Sequence, residues 1–381
     1  MKKIKVMTLF GTRPEAIKMA PLVLELQKRE RIESIVCTTG QHRQMLDPII
    51  EIFGIKPDYD LNIMEPDQTL ATITSKTLLG MDGVLSEVKP DIVLVHGDTS
   101  TAFAGALSAF YHKIPVGHVE AGLRTGDRYS PYPEEINRRL ISEIAEMHFS
   151  PTAANAENLR RESVSGEIFI TGNTVIDALH TTVSDDFIFK TEGISDLDFD
   201  SRRVILVTAH RRENYGRPLE NIMNALKDLA EAYTDIEIVY PVHMSPVVRN
   251  TAEGILAGVP RVRLLPPINV DEMHNLMSRC HMVLTDSGGL QEEAPALGKP
   301  VLVMRRETER PEAVVAGTVK VCGVEREDIV KMSRTLLDSE EEYARMANAV
   351  NPYGDGRACS RIADAIVWHF GLGDRPDEFI G

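Results

Sequence analysis

The sequence predicts an α/β protein of two Rossmann-like domains, each built on a parallel sheet. Three observations predict it. Short apolar runs alternate with helical patterns along most of the chain, the alternation lapses once near the middle and restarts, and the loops after the runs are rich in glycine and charge. Strands alternating with helices imply parallel strands joined by crossover helices. A chain of 381 residues is also past the size at which one core usually divides.

Ile4 to Phe10 is the first strand and Gly11-Thr12-Arg13-Pro14 the first loop. Pro14 suits the first turn of a helix. Pro21 should kink or restart that helix before Leu22 to Leu26 continues it. Ile35 to Thr39 and Ile92 to His96 are further strands; Gly97-Asp98-Thr99-Ser100 then leads into the helical Ala102 to Phe110, followed by the strands Pro115 to Val119 and Ile168 to Thr171. Between Thr181 and Arg203 the pattern lapses into scattered aspartates (Asp185, Asp186, Asp196, Asp198, Asp200), expected to form a connection with a helical turn or two. The pattern restarts with the β-branched run Val204 to Val207, and Leu219, Ile222, Met223, Leu226 and Leu229 follow at helical spacing. Ile236 to Tyr240, Val262 to Leu265, Met282 to Thr285 and Val301 to Met304 complete the strands. A last helix, Ser360 to Phe370, is expected to cross back onto the first domain. The predicted domains are therefore 1–175, joined by the C-terminal helix 366–381, and 203–365, with 176–202 as the connection. Ligands of such sheets bind beyond the carboxyl ends of the strands. With two sheets facing each other, the ligand is expected in the interdomain cleft.

Composition narrows the function. The net charge is −15, from 42 basic and 57 acidic residues, which argues against a nucleic-acid binder. Local cationic loops can still hold a small anion. Cys37, Cys280, Cys322 and Cys359 form no CxxC pair, so reduced thiols are expected rather than a zinc or redox motif. No stretch approaches the apolar length of a membrane span. Gly11, Arg13 and Glu15 interrupt the first apolar run too early for a signal peptide, which favours a cytoplasmic protein. His96, His118, His210 and His243 lack metal-ligand spacing, so neither a metal nor a cofactor is expected.

The chemistry sits in the loops after the strands. Gly11 lets a ligand approach the backbone, and Arg13 and Lys18 add charge at a helix start. A turn with solvated basic residues would look the same. His210-Arg211-Arg212 at the end of a strand is harder to explain as packing. Ser287, Gly288 and Gly289 at a helix start suit a phosphate cradle. Glu293 follows one turn later as an acceptor for ribose hydroxyls, and Arg310 supplies another cation. Carboxylates come from the first half: Asp98, Glu120 and Glu134. Singly, each is as well explained as a cap or a solvated acid. Together, opposite cations, they suit proton transfer while an anionic leaving group is held.

At these residues the sequence resembles the non-hydrolysing UDP-N-acetylglucosamine 2-epimerases. The resemblance runs through FGTRPEAIKMAPL, VHGDTSTAFA, GHVEAGLRTGD, PEEINRR, ITGNTVIDAL, TAHRREN, YPVHMSP, TDSGGLQEEAPALGKPVLVMR, ERPEAV and NPYGDG. It implies a GT-B fold and reversible interconversion of UDP-GlcNAc and UDP-ManNAc at carbon 2, serving cell-envelope polysaccharide. The implied route eliminates UDP to a 2-acetamidoglucal and adds it back, because carbon 2 has no adjacent carbonyl to acidify its proton. The resemblance makes Asp98, Glu120, Glu134 and His210 catalytic, with Arg13, Lys18, Ser287, Gly288, Gly289, Glu293 and Arg310 as substrate contacts. Which acid is the base stays open. Pro267 to Met273, expected beside the uracil, matches less well and contributes no assigned side chain. A second UDP-GlcNAc site is implied at Gln41, Gln44, Glu134, Arg211 and His243. Asp67 stands where some relatives have a basic residue, which weakens that site. A homodimer is expected. Three rivals are a GT-B glycosyltransferase, a hydrolysing relative and a non-catalytic UDP-sugar sensor. The three acids and the extent of the resemblance favour the epimerase.

Overall fold

The computed structural model describes residues 3–41 and 43–381, which divide into two compact units. Unit 1 comprises the chain up to Thr181 together with Tyr353–Gly381, and unit 2 runs from Thr182 to Pro352.

Unit 1 contains β1 (Ile4–Phe10), α1 (Arg13–Lys28), β2 (Ile32–Thr38), α2 (Arg43–Ile52), β3 (Tyr59–Asp60), α3 (Leu70–Val88) and β4 (Ile92–His96). It continues with α4 (Ser100–Tyr111), β5 (Val116–Val119), α5 (Glu134–Ile144), β6 (Met147–Ser150), α6 (Ala153–Arg161), β7 (Glu167–Ile170) and α7 (Thr174–Thr182). The strands lie in the order β3-β2-β1-β4-β5-β6-β7 and pair in parallel. Every residue of β4 is buried, as expected of a strand covered on both faces. Met7, Leu9, Val93 and Val95 of the sheet pack against Met81 and Leu85 of α3 and Ala102, Ala106 and Ala109 of α4. The helix does not restart at Pro21: α1 is one helix through it. Pro21 forfeits one backbone hydrogen bond, and burial of Met19, Ala20, Leu22, Val23 and Leu26 offsets the loss.

Unit 2 contains β8 (Arg203–Thr208), a 3-10 turn at Arg212–Asn214, α8 (Arg217–Ala232), β9 (Ile236–Pro241), α9 (Pro246–Leu256), β10 (Val262–Leu265) and α10 (Val270–Arg279). Then come β11 (Met282–Thr285), α11 (Leu290–Ala296), β12 (Val301–Val303), α12 (Pro311–Ala316), β13 (Val319–Val321), α13 (Arg326–Asp338) and α14 (Glu340–Ala347). Its order is β10-β9-β8-β11-β12-β13, again parallel. The predicted apolar stripe of α8 is buried from Leu219 to Leu229.

The unit boundaries differ from those drawn on the sequence. The first residues of the expected connection 176–202 belong to α7, whose Val175, Ile176, Ala178 and Leu179 are buried. The remainder forms no helix among the described residues and packs on unit 2. Arg279 lies 5.2 Å over the Phe189 ring, and Arg263 pairs with Asp196 at 2.8 Å. The chain returns to unit 1 at Tyr353, earlier than residue 366. There α15 (Ala358–His369) is capped by Asp177, which accepts the Cys359 N–H at 2.9 Å, and Arg29 of α1 pairs with Asp364 at 2.8 Å.

In both sheets the strand order reverses beside the first strand of the unit, at β1/β4 and at β8/β11. Crossovers leave to opposite faces there and open a crevice at the carboxyl ends of the strands.

Candidate active site

In unit 1 the loops after β1, β4 and β5, with the start of α5, bound a pocket of about 430 Å³ lined by Lys18, Gln41, His96, Asp98, Glu120 and Glu134 among others. The three predicted acids are thus brought together. Gly11 is required in the first loop because a Cβ there would meet the Thr39 hydroxyl at 1.8 Å. Buried Glu15 ties two loops together. Its carboxylate accepts the N–H groups of Gly11 at 3.0 Å and Thr12 at 2.8 Å, and the Thr99 hydroxyl at 2.6 Å.

Each acid has its own environment. Glu120 has a left-handed backbone, φ 62°, unfavourable for a side chain with Cβ by about 1–2 kcal/mol. It is ion-paired with Lys18, accepts the Asn173 amide at 3.1 Å and lies 3.5 Å from His96 Nε2. Burial alone would raise its carboxyl, but the Lys18 ammonium and His96 outweigh burial and hold it well below the usual carboxylate range. Burial likewise raises the Asp98 carboxyl; Arg138 opposes the rise, the negative charges of Glu120 and Glu134 reinforce it, and the net shift is upward. Glu134 opens α5. Beneath the pocket His118 donates from Nε2 to the Gly97 carbonyl at 2.7 Å, and burial pushes its pKa down to about 3, so the ring is neutral.

In unit 2 one carboxylate organises the loop after β8. Fully buried Asp286 accepts the backbone N–H groups of His210 and Arg211, both at 2.8 Å, and the Asn214 amide at 3.1 Å. Its other oxygen lies 3.2 Å from His210 Nδ1. Burial would raise Asp286, but these partners outweigh it and keep the group below its ordinary value. With Nδ1 turned toward Asp286, His210 has Nε2 left for a ligand. His243 stacks on His210 at 5.4 Å; burial and the neighbouring His210 lower its pKa against the pull of Asp286.

The predicted cradle is also present. A Cβ on Gly288 would lie 3.7 Å from an Arg211 nitrogen and 3.8 Å from one of Arg310, so two guanidinium groups converge on bare backbone. Arg310 is itself paired with buried Glu292. Helix α11 has only seven residues, so the arginines rather than a long helix dipole dominate the field at Ser287, Gly288 and Gly289. Glu293 reaches the Gly289 backbone, 3.0 Å from the position of a Cβ there, and lies 3.5 Å from Nε2 of buried His274.

Not every predicted residue joins these groups. Arg13 begins α1 but is not among the described residues lining the pocket. Gln41 lines it and accepts from the Thr101 hydroxyl at 3.4 Å, whereas Gln44 is exposed on α2. Asp67 is exposed with φ 54°. Sequence reasoning missed Glu15, His96, His118, Arg138, His274 and Asp286. The signals available were the capping-box spacing Thr12-x-x-Glu15 and the helical offset of four from Glu134 to Arg138.

Among the described residues no cluster of three His, Cys, Asp or Glu side chains could hold a metal ion, and no helix is long and apolar enough to cross a membrane. A family model described as UDP-N-acetylglucosamine 2-epimerase matches residues 24–367. The enzyme of that name from Bacillus subtilis strain 168 is 54% identical over 383 residues, covering 100% of both chains. Its counterpart from Escherichia coli strain K12 is 55% identical over 370 residues, covering 95% of this chain and 98% of its own. Among solved structures, UDP-GlcNAc 2-epimerase from Neisseria meningitidis bound to UDP-GlcNAc is similar with a TM-score of 0.86 and 49% identity, covering 96% of this chain and 100% of that one.

Proposed function

Since the chain belongs to the UDP-N-acetylglucosamine 2-epimerase family, we propose that it inverts carbon 2 of UDP-GlcNAc by eliminating UDP and adding it back. The chain is an epimerase of nucleotide sugars; the route is the proposal. The observation that carries it is the gathering of Asp98, Glu120 and Glu134 around one pocket, with the first two beside Arg138 and Lys18. In the forward step a carboxylate takes the proton from carbon 2, the bond from carbon 1 to the UDP oxygen breaks, and a carbon 1–carbon 2 double bond forms. In the return step a second acid protonates carbon 2 from the opposite face while the UDP oxygen reattacks carbon 1. His210, Arg211, Arg310 and the Gly288-Gly289 backbone supply the positive field that stabilises departing UDP. Glu293 serves the ribose hydroxyls, and Arg13 and Lys18 are further substrate contacts. Incubation with UDP-GlcNAc in deuterium oxide should give UDP-ManNAc with deuterium at carbon 2. Product that fully retains its original hydrogen would sink the elimination route, and free ManNAc as main product would favour the hydrolysing one.

We further propose a second ligand site, a homodimer and a place in envelope supply. A second UDP-GlcNAc is taken to bind through Gln41, Gln44, Glu134, Arg211 and His243; a lag with pure UDP-ManNAc, abolished by a trace of UDP-GlcNAc, checks it. The working form is taken to be a homodimer in the cytoplasm. Exposed Leu79, Phe110 and Tyr111 on α3 and α4 offer an apolar face for a second copy, and light scattering checks the mass. The product is taken to supply cell-envelope polysaccharide, so loss of the gene should deplete ManNAc there.

A further inference from the structure

Asp98 is held by α5 in a way that the reaction itself does not account for. Its backbone carbonyl accepts the Asn137 side-chain amide at 2.9 Å. Its carboxylate accepts Nη2 of Arg138 at 2.5 Å. Arg138 is 4% exposed, so this cation is removed from water and is not a pocket-facing substrate clamp of the usual solvated kind. On its other side it lies 3.3 Å from Glu135, which is 0% exposed. Glu135 in turn accepts the backbone N–H groups of Thr125 at 3.0 Å and Gly126 at 3.3 Å, and Arg139 at 3.2 Å. The guanidinium therefore bridges two carboxylates, one structural and one in the acid pocket. Helix α5 presents Glu134 at its first residue and grips Asp98 one turn later.

We propose that Arg138 is a positioning residue of the epimerase: anchored by Glu135, it fixes the Asp98 carboxylate at the pocket as a proton acceptor. The inference rests on the proposed elimination route. The physical need is plain. Three carboxylates share one small pocket, and burial together with mutual repulsion favours protonation of whichever lacks a cation. Lys18 fills that need for Glu120, and Arg138 opposes the rise at Asp98 without cancelling it. With Nη2 on Asp98 and Nη1 3.3 Å from Glu135, the rigid guanidinium plane sets the position of the Asp98 carboxylate, which a solvated lysine would not.

The test uses the full-length enzyme and follows conversion of UDP-GlcNAc. Wild type must first incorporate deuterium at carbon 2; failure there overturns the elimination route itself, before any variant is made. Given that, Arg138→Ala should lower kcat about a hundredfold while KM and UDP affinity change less than about threefold. Free guanidinium ion at millimolar concentration should restore part of the loss, and Arg138→Lys should recover about tenfold. A kcat for Arg138→Ala near wild type would overturn the inference. So would a loss that neither guanidinium nor lysine relieves while UDP still binds, because that pattern marks a merely structural role. If Arg138→Ala does not fold, Arg138→Lys decides: a kcat about tenfold below wild type at unchanged KM supports the proposal, and an unchanged kcat or a changed UDP affinity overturns it.

Discussion

The two units solve opposite electrostatic problems on the same sheet topology. In unit 1 three acids line the pocket together with Lys18 and His96, and two of the acids are steadied by a cation: Asp98 by Arg138 and Glu120 by Lys18. In unit 2 the groups on the equivalent loops are bases and cations, steadied by buried acids: His210 and Arg211 by Asp286, and Arg310 by Glu292. A functional charge near a low-dielectric interior needs a partner of opposite sign, or it neutralises instead. The difference is clearest where Arg138 is buried beneath the more exposed Asp98, and Asp286 is buried beneath the more exposed His210. Displayed carboxylates move protons; displayed cations hold an anion.

That division can be broken by experiment, and the largest effect should come from unit 1. Glu120→Gln keeps the shape of the side chain but removes its charge. Turnover should fall about a thousandfold, while UDP affinity measured by calorimetry stays within about twofold. A variant that instead loses UDP would show that unit 1 holds the anion as well. In unit 2 the losses should reach UDP binding as well as turnover. His210→Ala should cost about a hundredfold in turnover, and Asp286→Asn about tenfold in UDP affinity through its effect on the His210–Arg211 loop. Unchanged UDP binding in Asp286→Asn would mean that the buried acid only packs.

An effect on stability rather than turnover concerns how the Gly97–Asp98 loop is supported at low pH. The Gly97–Asp98 turn rests on neutral His118, whose folded pKa of about 3 lies below the unfolded value. Between about pH 6.5 and 3 the unfolded chain therefore binds a proton that the folded chain does not, so stability falls as pH falls. His118→Asn removes this dependence. Between pH 7 and 4.5 the variant should lose about 2–3 kcal/mol less stability than wild type in urea unfolding. Equal losses would show that the ring is protonated in the fold or titrates alike in both states.

How much of this was legible in the sequence depended on how local each signal was. The runs Ile92–His96 and Met282–Thr285 announced β4 and β11 to the residue, because a central parallel strand is apolar throughout. The two-residue β3 and the three-residue β13 are too short to carry any period. Asp98, Glu120 and Glu134 were visible because each sits at the end of a strand or the start of a helix. Their partners were not. Nothing local links Arg138 to Asp98 or His274 to Glu293, and only the crossover topology brings them together. The boundary at Tyr353 was missed for the same reason, since the capping of α15 by Asp177 joins positions far apart in the chain.

The return of the chain to unit 1 bears on the order in which the molecule can be completed during synthesis. Unit 2 is one uninterrupted stretch, so it can close as soon as Pro352 has left the ribosome. Unit 1 is made first, yet it must wait for α15 to cover α1 and to receive the Asp177 cap. The half that carries the acids is therefore completed after the half that displays the cations.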